Sequence, residues 1–93
     1  MQMKRGIFMV CRTMVLNNKT GLHMRPAGLL VGEANRCRSH IMMIHGEHKM
    51  NCKSLMSLLA FPVPPGDEVT IECEGEDEEQ DLERITDFIA HLE

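Results

Sequence analysis

Pro26 opens a segment in which small and apolar residues, Ala27, Leu30, Val31 and Ala34, recur at three- and four-residue spacing. A proline lacks the N–H that an interior helical position needs, but in the first helical turn that donor is unused and the fixed φ is already helical. The proline therefore places the start of an amphipathic helix near His23. Glu33, Asn35, Arg36 and Arg38 take the other faces, with Arg36 and Arg38 expected to complement the C-terminal end of the helix dipole. Just upstream, Asn17-Asn18-Lys19-Thr20-Gly21 is a polar turn stretch, so a strand should stop there and the helix begin almost at once.

That strand is expected over Ile7 to Asn17, which is rich in β-branched and long apolar residues but is interrupted by Arg12 and Thr13, so its pattern does not say which face is buried. Residues 1–6 read as a flexible lead-in with Lys4 and Arg5, too short for a signal peptide. After the helix, Ile41 to His45 and Lys49 to Cys52 flank a short connection containing Gly46, the pattern of a β-hairpin. Ser54 is a good N-cap for a short helix over Leu55 to Ala60, which Pro62, Pro64, Pro65 and Gly66 must end. From Asp67 to Glu74 the alternation is clean: Val69, Ile71 and Cys73 share one face, Thr70, Glu72 and Glu74 the other. Acidic residues from Glu76 to Asp81 favour a helix start, and Leu82, Ile85, Ile89 and Leu92 give that helix its apolar stripe. The order is β-α-β-β-α-β-α. One solvated sheet face and three helices needing cover predict a two-layer α+β domain with an antiparallel or mixed sheet.

Length and composition narrow the function. Ninety-three residues form one domain, 1–93, with a modest core and no room for a deep substrate cavity, which disfavours a self-contained enzyme. The core falls to aliphatic residues and nine Met, since there are three Phe and no Trp or Tyr. A net charge of -4 and few rings for base stacking speak against a nucleic-acid binder. Cys11, Cys37, Cys52 and Cys73 show no C-x-x-C pairing and no apolar leader precedes them, so four free thiols in a reducing cytoplasm are expected. No apolar run is long enough to span a bilayer, and no membrane insertion is expected.

Chemistry converges on His23. Unpaired N–H groups at a helix N-terminus favour an anion, a neutral imidazole nitrogen is a competent nucleophile, and Arg25 supplies a guanidinium able to donate two parallel hydrogen bonds to phosphate. Phosphoryl capture is the reaction this suggests, against the competing reading that His23 simply caps the helix. Ser54 has two readings as well, a plain N-cap or a hydroxyl that also accepts a regulatory phosphate. His40 and His91 read as surface or capping groups, and His45 and His48 without a third convergent ligand make no convincing metal site. A helix as short as Leu55 to Ala60 cannot bury every face, so part of it should stay open for a partner.

At Gly21-Leu22-His23-x-Arg25-Pro26-Ala27 the chain resembles the histidine-containing phosphocarrier family, HPr, of the bacterial phosphoenolpyruvate-dependent phosphotransferase system. Lys53-Ser54-Leu55-Met56 looks like that family's regulatory-serine segment. Gly66-Asp67-Glu68-Val69-x-Ile71 and Glu74-Gly75-x-Asp77-Glu78 look like its last strand and acidic turn. The resemblance implies an open-faced β-sandwich, a four-stranded antiparallel sheet covered on one face by three helices. It implies that His23 accepts a phosphoryl group from enzyme I and passes it to IIA domains of sugar permeases, without a cofactor or metal. The chain would then be a phosphoryl-transfer intermediate, not an enzyme in its own right. Arg25 would clamp the phosphate, Ser54 would be the regulatory site, and Met24, Leu55, Met56 and Leu59 would form the docking surface. A serine kinase or phosphorylase and a transcription regulator are further partners of this kind of protein, and a monomer is expected. Met24 departs from the small residue usual beside the histidine, and either enlarges the docking patch or shields His23. Phe61-Pro62-Val63-Pro64-Pro65 is an unusual connection. A regulatory binding protein on the same fold is the alternative, and retention of His23 argues against its purely regulatory form.

Overall fold

A computed structural model describes residues 9–93 of the chain. The expected lead-in at 1–6, and Ile7 and Phe8 of the first strand, lie outside the described residues. The elements are β1 (Met9–Val15), α1 (Met24–Ala34), β2 (His40–His45), β3 (His48–Asn51), α2 (Leu55–Ala60), β4 (Glu68–Glu74) and α3 (Glu78–Ala90). All strand pairs are antiparallel, and the sheet order is β1-β4-β2-β3. This is the four-stranded, helix-covered sheet that the sequence implies.

The alternation in β4 decides the layering. Val69, Ile71 and Cys73 are buried, and the register sets Ile71 opposite Met43 of β2 and Cys73 opposite Ile41, also buried. Leu30, Leu58 and Ile85 bring one buried side chain from each helix into the same core. Residues of opposite parity look the other way: Thr13 and Thr70 pair across the open face, their hydroxyls 2.8 Å apart, and Lys49 reaches Glu72 at 3.2 Å. The question left open for β1 is answered by its edge position. Val10 and Met14 pack on the core, and Arg12, of the same parity, donates to Thr86 Oγ1 on α3 at 3.0 Å. A guanidinium can sit on this side because its stem packs while its head reaches the rim.

Two side-chain contacts fix the ends of the elements. Asp81, 6% exposed, accepts the Ser39 N–H at 3.0 Å, fixing the start of α3 to the segment before β2. Asp67 and His45 meet at 2.8 Å where β2 ends and β4 begins. Helix α1 stops at Ala34, so Arg36 and Arg38 fall beyond its last turn; they pair with the carboxylates of Glu33 (3.0 Å) and Asp77 (3.8 Å) instead of completing the dipole. The turn formed by residues 35–39 ends the helix sooner than the charge pattern suggests.

Candidate functional site

The turn that carries His23 is built on a glycine. Gly21 has φ +71°, and a Cβ there would lie 2.2 Å from the Val63 carbonyl oxygen, so only glycine lets the two backbones approach. Leu22 is buried and its N–H donates to that same carbonyl at 2.9 Å. From below, the buried side chain of Asn18 donates to the Gly21 carbonyl at 2.8 Å. The proline-rich connection at 62–65 therefore braces the residues that precede the histidine.

His23 follows as the N-cap of α1, extended at φ −87° and ψ −176°. Its side chain is exposed, makes no capping hydrogen bond and has no partner among the described residues, so the plain capping reading does not hold. Pro26 is buried at the third helical position, within the turn where its missing N–H has no cost. Arg25, one position before, is exposed and has no hydrogen-bond or ion-pair partner among the described residues. An exposed guanidinium and the free N–H groups of a helix start thus lie beside an open imidazole.

Two grooves open on either side of this ridge. One, about 650 Å³, runs between the start of α1 and the end of α3 and is lined by His23, Met24, Arg25, Leu29, Phe88 and His91 among others. The second, about 400 Å³, is lined by His23, Met24, Leu59 and the residues 62–65. Met24 lines both and is 62% exposed, while His23 remains accessible. Met24 thus enlarges the surface around the histidine and does not shield it.

The other sequence candidates divide. Ser54 caps α2, its Oγ accepting the Ser57 N–H at 3.2 Å. The Asn35 side chain, at the end of α1, donates to the Lys53 carbonyl at 3.3 Å, which sets Ser54 beside the far end of the helix that His23 begins. Eleven helical residues rise about 16 Å. Ser54 is therefore no part of the histidine site. On α2, Met56 is 83% exposed, Leu55 and Leu59 are half-buried, and of these three only Leu59 reaches a groove beside His23.

His45, His48, Cys52 and Cys73 have structural surroundings. His48 stacks on Phe61 with ring centroids 3.6 Å apart, His45 is taken by Asp67, and no group of three metal-ligating side chains is found among the described residues. Burial pushes the Cys52 and Cys73 thiols up to about 12, so neither offers a thiolate nucleophile near neutrality. His91, which reads from sequence as a surface or capping residue, lines the larger groove, as do Leu29 and Phe88. No local pattern marks them, because α3 meets the start of α1 only through the fold.

Comparison with known proteins gives the family. The family model for the PTS HPr component phosphorylation site matches residues 10–91. The HPr-like protein Crh of Bacillus subtilis is 41% identical over 81 residues, covering 87% of this chain and 95% of that one. The crystal structure of a phosphocarrier protein HPr from Bacillus anthracis superimposes with a TM-score of 0.82 at 35% identity, over 86% of this chain and 95% of that chain. Crh of Bacillus subtilis, in a crystal form described as a swapped dimer, gives a TM-score of 0.70 at 40% identity over 83% and 88%. With this match over almost its whole length, the chain belongs to the HPr family of phosphocarrier proteins of the phosphotransferase system.

Proposed function

We propose that His23 accepts a phosphoryl group from enzyme I and hands it to IIA domains of sugar permeases. The observation that carries this reading is the exposed ring of His23 at the start of α1, with Arg25 beside it, neither holding a side-chain partner among the described residues. A ring nitrogen attacks phosphorus, the N–P bond forms as the bond from phosphorus to the donor breaks, and the reverse step at a IIA domain discharges the carrier. Charge on the transferring oxygens is met by the Arg25 guanidinium and by the backbone N–H groups of Met24 and Arg25; Pro26 has none to give. The working form is a single-domain monomer in the cytoplasm, docking through Met24, Leu55, Met56 and Leu59.

Ser54 is the regulatory site in this reading, open to a serine kinase and phosphorylase. A phosphate there favours the start of α2 and sets negative charge on the edge of the docking face, so docking weakens while the fold is kept. A second reading, a regulatory binding protein acting on enzymes or a transcription regulator with little sugar-linked transfer, is favoured by the 41% identity to Crh. A chase separates the two: protein labelled by enzyme I and labelled phosphoenolpyruvate is mixed with a IIA domain. Movement of the label to the IIA domain within seconds supports the carrier; label that enters this chain and stays there supports the regulatory reading.

A further inference from the structure

We propose that Met24 is a site of reversible oxidation, and that its sulfoxide slows phosphoryl exchange at His23; the inference rests on the His23 reading above. Cys37, Cys52 and Cys73 are buried, and burial raises the pKa of each thiol, so none of the three offers a thiolate to an oxidant. Oxidation falls instead on Cys11, which is exposed, and on the thioethers. A thioether reacts without losing a proton, so exposure decides among the methionines. Met43 and Met50 are sealed in the core, whereas Met9, Met24 and Met56 are exposed. Among the described methionines only Met24 lines a groove beside His23, and it lines both.

The oxidant is of the hydroperoxide class. The Met24 sulfur attacks one peroxide oxygen, an S–O bond forms as the O–O bond breaks, and the departing hydroxide takes the remaining proton and leaves as water. Sulfur loses two electrons and the peroxide gains them. The product replaces a flexible apolar side chain with a polar one, on the surface that must be dried when a partner covers His23. Its oxygen is also a hydrogen-bond acceptor. Met24 is the first residue of α1 and Arg25 the second, so that oxygen competes for the helix-start N–H groups and the guanidinium that meet the phosphoryl oxygens in the reading above. Both effects act against transfer. Neither reaches the core, and the exposed side chain stays open to a sulfoxide reductase that reverses them.

The test is labelling by enzyme I and labelled phosphoenolpyruvate after treatment with hydrogen peroxide, which is removed before enzyme I is added. Cys11 lines neither groove, so the treated samples all carry Cys11→Ser, and Met24→Leu is compared with its own untreated sample. With oxygen on Met24 by peptide mass spectrometry, kcat/KM should fall about fivefold while the urea midpoint holds, and methionine sulfoxide reductases for both epimers should restore it. Treated Met24→Leu should stay within about twofold of its untreated sample. A Met24 left unoxidised while Met9 and Met56 take oxygen overturns this inference alone. So does a sulfoxide at Met24 with kcat/KM unchanged, or a loss in Met24→Leu equal to the loss without that substitution. A wild type that takes no label before treatment overturns the phosphocarrier reading and this inference with it.

Discussion

The N–H of Leu22 donates to the carbonyl of Val63 at 2.9 Å, so the turn that presents His23 hangs on the backbone of the proline-rich connection. Gly21 makes that contact possible, since its φ of +71° and its lack of a Cβ let the chains close to a distance that no other residue tolerates. Gly21→Ala should destabilise the fold by about 1–3 kcal/mol from the left-handed conformation alone, with the clash against Val63 adding to it. Urea unfolding measures the loss. An Ala variant with a midpoint equal to wild type would contradict the proposed bracing of the site.

Ser54 separates capping from regulation. Removing its oxygen in Ser54→Ala should cost about 1 kcal/mol in unfolding free energy, because the Ser57 N–H loses its acceptor. Ser54→Asp keeps an acceptor and adds charge, so its thermal midpoint should stay near wild type while KM for labelling by enzyme I rises. An Asp variant that unfolds would show that the serine is needed for structure and leave no room for a phosphate switch of this kind.

Acid stability should depend on two carboxylates. The hydrogen bond from the Arg84 guanidinium, reinforced by Arg36, holds Glu33 below the usual carboxylate range against the opposing effect of burial. Burial pushes Asp81 up, but the Ser39 N–H at 3.0 Å and neighbouring donors outweigh it and the net direction is down. A lowered folded-state pKa stabilises the protein above the unfolded value, about pH 4, and that stability is lost as pH falls through the folded value. The urea midpoint should be level from pH 7 to pH 5 and fall below about pH 4. Asp81→Asn should be less stable at pH 7 and show a shallower acid decline; an unchanged decline would remove Asp81 from the account.

How much of this was legible beforehand depends on whether a feature is local. Pro26 located α1, the alternation of Val69, Ile71 and Cys73 fixed the buried face of β4, and Ser54 marked the start of α2, because each acts on its own neighbours in the chain. What escaped needs partners far away. Arg12 belongs to the helix side of β1 because Thr86 lies across from it, and Asp81 is buried because Ser39 meets it 42 residues upstream. The larger groove was invisible for the same reason: Leu29 and Phe88 look like ordinary helix residues until α3 returns to the start of α1. Arg36 and Arg38 misled in the opposite sense. Their position after an apolar helix suggested a dipole role, but the helix ends at Ala34 and ion pairs claim them.

The central claim is that His23 alone carries the phosphoryl group. Wild type, His23→Ala and His91→Ala are incubated side by side with enzyme I and labelled phosphoenolpyruvate, and the bound label is tested for lability in acid. The account predicts an acid-labile label on wild type and on His91→Ala and none on His23→Ala. Label retained by His23→Ala, or absent from all three, would contradict it.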